Sequence, residues 1–314
     1  MLLLQPEADI NLRYLRENYQ FLQSKVGSAK IMGVVKADAY GHGLLPVSKM
    51  LAELGMYGFC VALVSEAQEL IHGGIDNPIL HLGKLSEDQL DVFKTGQVRC
   101  TINSIKDIKI IENFGFANKV CIKAHLKVDT GMGRLGVCNY ELEDLLNKLS
   151  IANHIEIEGL YSHFATAEEE NTEYRNLQLE RYKEAIYLVK RLLPGIKYFH
   201  IANSATILRC SDAYFNMVRP GISLYGVTPF GIPDSNLSPV MTMKAPLTIV
   251  KHFKKEDSIG YNRLYVLEKD ESIAFVQAGY ADGIPVLFSN RGQVEIDQRL
   301  YPIIGKVSMD TVCI

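Results

Sequence analysis

Lys36 closes the strand-like run Ile31-Met32-Gly33-Val34-Val35, and the glycine-bearing turn Ala37-Asp38-Ala39-Tyr40-Gly41-His42-Gly43 follows at once. An ammonium carried into the rim of a buried sheet costs several kcal/mol unless it is paired. Such a lysine gives up its charge or commits its amine elsewhere, and a neutral amine is the nucleophile that forms Schiff bases with carbonyl compounds. Taken alone, the same residue could also snorkel to solvent. It is not alone. Lys127, His163, Asn203 with Ser204, and Arg219 each stand at or just after the end of another strand-like run. Two lysines, a histidine and an arginine in equivalent places point to one site. The segments Ala202-Asn203-Ser204-Ala205-Thr206 and Arg219-Pro220-Gly221-Ile222-Ser223 add a small hydroxyl at a helix start and a glycine that permits close backbone approach. Both suit an anion, so a phosphorylated ligand is expected.

The elements that must position these residues alternate between about 31 and 226. Strand-like runs cover 31–36, 58–63, 78–83, 97–102, 119–128, 155–162, 197–202 and 216–219, with amphipathic segments such as 46–53, 140–149 and 168–193 between them. Eight strands with intervening helices over roughly 200 residues predict a TIM-type (β/α)8 barrel, whose chemistry gathers at the C-terminal ends of its strands. An amphipathic segment, 10–25, precedes the first strand. Beyond about 238 the runs 241–253, 272–278, 292–297 and 300–312 are β-type and joined by turns. The expected domains are therefore a barrel over 10–235 and a mostly β domain over 236–314 with 1–9. The chain stops at Ile314 inside a strand-like run, and an unpaired edge there would be unusual. The expectation is that a C-terminal portion of the β domain is missing.

Composition excludes several classes. Hydrophobic content is 47%, charged content 22% and net charge −3 over 314 residues, an ordinary globular balance with no basic excess for nucleic acid. Met1-Leu2-Leu3-Leu4 is too short for an export signal, and no apolar run reaches membrane-spanning length, so a cytoplasmic protein without a membrane partner is predicted. The six cysteines lack CxxC spacing and read as free, mostly buried thiols; the eight histidines show no paired metal spacing. Gly131-Met132-Gly133-Arg134-Leu135-Gly136 matches GxGxxG with Glu156 twenty residues on, but these glycines do not open a helix directly after a strand, so a dinucleotide site is rejected.

The segment Val34-Val35-Lys36-Ala37-Asp38-Ala39-Tyr40-Gly41-His42-Gly43 closely resembles the cofactor-lysine motif of the alanine racemase family. So, in family order, do 125–136, 158–167, 202–205, 217–222, Gly279-Tyr280-Ala281-Asp282-Gly283 and Ser308-Met309-Asp310. The resemblance implies pyridoxal 5'-phosphate held on Lys36 as an internal aldimine. Tyr40, Ser204 and the backbone at Gly221 and Ile222 would bind its phosphate, with Asn203 and His163 nearby. Arg219 would face the pyridine nitrogen, and Arg134 the phenolic oxygen and substrate. Lys127 matches a position that is often carbamylated. Tyr261 matches the second catalytic base, supplied in the family by the other subunit of a homodimer, together with the substrate-binding Tyr280 and Met309. The implied activity is two-base interconversion of L- and D-alanine, supplying D-alanine for peptidoglycan. Racemisation needs a proton removed from one face of Cα and returned to the other, and Lys36 with Tyr261 would do so without moving the substrate. No metal is implied.

Three alternatives stay open on the residues. A racemase of serine or broader range differs by little in pocket energetics. A decarboxylase on a similar scaffold is opposed by Arg219, because those enzymes place a carboxylate at the pyridine nitrogen. A non-catalytic cofactor carrier is opposed by the β domain bearing Tyr261.

Overall fold

The computed structural model describes residues 5–314; the start Met1–Leu4, on which the absence of an export signal was argued, lies outside them. Two compact units are present, one formed by Asn11–Val240 and the other by residues 5–10 with Met241–Ile314.

The larger unit is a parallel barrel. Its strands are β2 (Lys30–Val34), β3 (Gly58–Val61), β4 (Ile79–His81), β5 (Val98–Ile102), β6 (Ile122–Asp129), β8 (Ile155–Tyr161), β9 (Tyr198–His200) and β10 (Met217–Val218). They pair in the order β10-β2-β3-β4-β5-β6-β8-β9, and a short β7 (Val137–Cys138) adds to β6. The eight expected strands are all present with their ends shifted: most are shorter, while β2 starts one residue earlier and β6 ends one residue later than expected. Most strand residues are buried, as a helix-wrapped parallel sheet requires, and the less buried ones lie mainly toward the strand starts. Met32, Val34, Cys60, Leu80, Tyr161 and Met217 fill part of the interior.

No ladder joins β9 to β10. The seam is held instead by Asn216, whose Oδ1 accepts from the Phe199 N–H (2.8 Å) and whose Nδ2 donates to the Lys197 carbonyl (2.7 Å). Farther up, the Arg219 N–H reaches the Ala202 carbonyl at 2.9 Å.

The long helix after β8 spans Glu173–Leu192, shorter than the expected 168–193, because residues 168–172 form bends and turns. A run of 3-10 turns over Glu87–Thr95 was not anticipated. All six cysteines are free, but only Cys60 and Cys100 are buried; Cys121 is exposed, and the expectation of mostly buried thiols fails because the others lie at element ends. Among the described residues no helix is long and apolar enough to cross a membrane.

The second unit is mostly β. β1 (Glu7–Ile10) pairs antiparallel with β11 (Met241–Lys244), and β12 (Leu247–Phe253), β15 (Glu271–Val276) and β18 (Val312–Cys313) form an antiparallel sheet. Two hairpin-like pairs complete it: β13 (Ser258–Ile259) with β14 (Tyr265–Val266), and β16 (Gln293–Ile296) with β17 (Arg299–Pro302). The run expected over 241–253 is broken at Ala245-Pro246, where proline removes a ladder donor. The run over 300–312 is broken after Pro302, and the chain re-enters a sheet only at β18. Small cores form around Ile259, Leu267, Ile273 and Ile304, and around Val276, Ile303, Val307 and Val312.

Candidate active site

Lys36 follows β2 after a single residue, Val35, and is half-buried. The next four residues leave the right-handed region: Ala37, Asp38, Ala39 and Tyr40 have φ of 53, 52, 53 and 57°. None is glycine, and a left-handed residue costs about 1–2 kcal/mol, so the surroundings must fix this turn. The Asp38 carboxylate accepts from the Leu44 N–H (2.7 Å) and the Asp38 carbonyl from Gly43 (3.0 Å). Tyr40 packs on Tyr225, ring centroids 4.9 Å apart, and the Tyr225 hydroxyl donates to the Val34 carbonyl.

A cavity of about 540 Å³ opens at the C-terminal strand ends. Lys36, Tyr40, Lys127, Arg134, His163, Asn203, Ser204, Arg219, Gly221 and Ile222 all line it. Every barrel residue singled out for chemistry thus meets in one place. Tyr261, Tyr280 and Met309 belong to the β unit, where they are 68%, 46% and 58% exposed.

The part of the cavity expected to take an anion is built from two loops. Ser204 Oγ accepts the N–H groups of Gly221 (3.0 Å) and Ser223 (3.2 Å), so its own hydroxyl proton is free to point at a ligand. The Gly221 N–H is thereby committed, and the Ile222 N–H has no protein acceptor among the described residues. A Cβ on Gly221 would lie 2.6 Å from the Tyr40 hydroxyl oxygen, so only glycine lets that hydroxyl sit beside Ser204's loop. Asn203 uses its Oδ1 to cap the helix Ser204–Arg209, accepting from the Thr206 N–H (3.1 Å).

Arg219 is buried and its donors are almost fully assigned. Nη1 donates to His200 Nδ1 (2.6 Å) and the His200 carbonyl (3.0 Å); Nη2 donates to the Ser162 carbonyl (2.7 Å) and faces His163 Nδ1 at 3.5 Å. Only Nε–H has no protein acceptor among the described residues. Because arginine only donates, His200 must accept at Nδ1 and carry its proton on Nε2, which then donates to His125 Nδ1 at 2.8 Å. Burial, followed by the positive Arg219, holds His200 well below the ordinary histidine range. Burial likewise lowers His125 and His163 to about 3. The chain of rings is neutral and fixed, and it holds the guanidinium rather than titrating with it.

Sequence reasoning missed His125 and His200, as well as Tyr161, which stacks on His200 (5.0 Å) and lines the cavity. Tyr161 and His200 close β8 and β9, and that position was the available signal; His125 lies inside β6 and offered none. Gly159, paired with His125 across β6 and β8, makes room for that ring: an added Cβ would lie 2.7 Å from it.

Lys127 is 6% exposed, and burial, then Arg219 and Arg134, lower it to about 8. Arg134 sits on a loop wrapped around one carboxylate. Asp129 accepts from the N–H groups of Gly131 (2.9 Å), Met132 (2.7 Å), Gly133 (2.9 Å) and Arg134 (3.2 Å). The glycines of this loop bind their own aspartate and open no helix, in keeping with rejection of a dinucleotide site.

In the β unit, the Tyr280 N–H donates to the Ser308 carbonyl and the Ala281 N–H to the Met309 carbonyl, both at 2.9 Å, which places Tyr280 beside Met309. Tyr261 begins a 3-10 turn over Tyr261–Arg263, after Gly260 at φ 69°.

The donor set fits a phosphorylated pyridine aldehyde: an amine, a hydroxyl-and-amide cradle, and a permanent cation with one N–H left to give. The comparisons with known proteins agree. The family model described as "Alanine racemase, N-terminal domain" matches residues 10–229, and "Alanine racemase, C-terminal domain" matches 240–314. The chain is 37% identical over 310 residues to an alanine racemase of Halothermothrix orenii, covering 98% of this chain and 82% of that one. An alanine racemase structure from Streptomyces lavendulae superposes with a TM-score of 0.93 at 29% identity, covering 98% and 83% of the two chains. One from Bartonella henselae, with covalently bound pyridoxal phosphate, gives 0.89 at 31% identity and covers 98% and 85%.

Proposed function

The chain belongs to the alanine racemase family, and on that premise we propose that it interconverts L- and D-alanine with two bases, Lys36 and the Tyr261 of a second copy. It is a pyridoxal phosphate-dependent amino-acid racemase. The observation that carries the proposal is the single cavity where Lys36, Arg219 and the Ser204–Gly221 cradle meet.

Bound pyridoxal phosphate supplies the electron sink that acidifies the substrate Cα–H. The residues do the rest. Ser204 Oγ, Tyr40 Oη and the Ile222 N–H would hold the phosphate, and Arg219 would offer its Nε–H to the ring nitrogen. A fixed cation at that nitrogen would disfavour its protonation and so moderate the sink, limiting side reactions. Lys36 Nζ takes or returns the Cα proton on one face, and Tyr261 Oη does so on the other. Neutral His163, with Nδ1 turned to Arg219, keeps its Nε2 proton for a hydrogen bond that stabilises a phenolate. Arg134 orients the substrate carboxylate, with Tyr280 and Met309 from the second copy narrowing the pocket around a methyl side chain. The exposure of those two residues and of Tyr261 on the β unit suits side chains that work in a partner. D-alanine for cell-wall peptidoglycan is the corresponding product role.

NMR of L-alanine in D₂O with the purified chain and pyridoxal phosphate, followed by chiral analysis, tests this. Exchange of the α-proton with appearance of D-alanine is expected. Exchange with retained L configuration would mean that Lys36 acts without Tyr261, and no exchange would remove the activity.

A further inference from the structure

We propose that Glu66 is a positioning residue for Lys36, acting through the left-handed turn that follows it. The inference rests on the reading of Lys36 as the cofactor's anchor. Glu66 lies in the first turn of the helix Val64–His72 and is 9% exposed. Its Oε1 accepts from the Ala37 N–H at 2.5 Å, and its Oε2 from the N–H groups of Ala62 (2.8 Å) and Leu63 (3.0 Å). One buried carboxylate therefore ties the first amide of the turn to the end of β3. Charge-assisted bonds of this kind are the strong ones.

The turn needs such a tie. Ala37, Asp38, Ala39 and Tyr40 are consecutive L-residues at φ 52–57°, a stretch that side chains disfavour and that persists only where neighbours over-determine it. Its geometry sets two cavity residues at once. Lys36 stands immediately before it and Tyr40 at its far end, and both line the cavity. A right-handed continuation from Val35 would turn the chain the other way and could not keep both there. Glu66 is not among the lining residues; it reaches the site through the amides it holds, Ala37 at the turn and Ala62, which itself lines the cavity, and only the Ala37 route is open to rescue by a change at Ala37.

The test compares Glu66→Ala, Glu66→Gln and the double variant Glu66→Ala with Ala37→Gly, each in the full chain. Hydrogen exchange of the 37–41 amides is read without cofactor. Borohydride trapping of pyridoxal phosphate on Lys36, and kcat with KM for L-alanine, are read with it. Glu66→Ala is expected to speed exchange over 37–41 by about tenfold, the factor for loss of one such bond. It should also lower the trapped fraction and reduce kcat more than it changes KM. Glu66→Gln keeps one acceptor oxygen and should fall between. Adding Ala37→Gly should restore trapping, because glycine adopts positive φ without the side-chain penalty; a general loss of packing would not be rescued in this way.

Unchanged exchange and trapping in Glu66→Ala, or a double variant no better than the single one, would overturn the proposal. If Glu66→Ala does not fold, Glu66→Gln with and without Ala37→Gly makes the same comparison. No trapping at Lys36 in the parent chain would overturn the anchor reading alone, while the exchange data would still decide whether Glu66 holds the turn.

Discussion

Lys127 is the residue whose environment most directly changes what it can do. A buried ammonium next to two arginines is disfavoured, and with its titration near 8 a usable share of the amine is neutral close to physiological pH. A neutral amine can take up carbon dioxide, which replaces the unwanted cation by an anion facing Arg134 and Arg219. The sign follows: the amine share grows as pH rises through 8, so carbamate formation from bicarbonate should increase from pH 7 to 9. An isotope-labelled bicarbonate signal in the NMR spectrum, lost in Lys127→Ala, is the expected outcome, with kcat/KM of that variant down by roughly tenfold or more. A spectrum without the signal, and activity indifferent to bicarbonate removal, would sink the carbamate. At this scale the sequence was readable where a side chain closes a strand: Lys36, Lys127, His163 and Arg219 were found that way. It was not readable where one side chain serves another. Nothing near His125 announces His200, 75 residues on, as the ring that holds Arg219.

The elements divide into those specified by their own residues and those specified by neighbours. The buried strands were legible because apolar runs bounded by turn residues leave few alternatives. The left-handed turn at Ala37–Tyr40 was not, because no glycine marks it and its tie to Glu66 comes from another element. The same division holds in the β unit, where Tyr261's loop is fixed from outside. Asn290, itself at φ 55°, donates from Nδ2 to the Leu264 carbonyl (3.0 Å) and accepts at Oδ1 from the Gly305 N–H (2.6 Å). It therefore clamps the loop bearing Tyr261 to the segment that leads to Met309. Asn290→Ala should cost about 0.5–1.5 kcal/mol, the net worth of hydrogen bonds whose lost partner water can partly replace. Because both loops carry the proposed second base and its neighbours, racemisation should fall several-fold while borohydride trapping on Lys36 stays at the parent level. Equal loss of both readouts would mean that Asn290 supports the fold only.

At the scale of the whole molecule, stability and function draw on different ends of the barrel. The buried ion pair of Arg99 Nε with Glu158 Oε2 (2.7 Å), joined by Lys123 (3.3 Å), links β5, β6 and β8 away from the cavity. Burial alone would raise the Glu158 carboxyl, but its bonds to Arg99 and Lys123 hold it below the ordinary range. A depressed folded value means that the stabilisation is complete above the ordinary carboxylate pKa, near 4.3, and is lost as pH falls through the lower folded value. Glu158→Gln should thus lower Tm at pH 7 and flatten the acid side of the stability curve, with little effect on kcat of the folded fraction. An unchanged acid limb would reject the assignment. The division of labour between copies can be checked without further structure. If each site takes Lys36 from one chain and Tyr261 from another, Lys36→Ala and Tyr261→Phe dimers are each inactive in racemisation. Random exchange between them makes half the dimers mixed, and each mixed dimer contains one site with both bases intact. Mixing equal amounts should therefore recover about a quarter of the parent activity. If instead both bases come from the same chain, no mixed dimer contains an intact site, and the mixture stays inactive at every ratio.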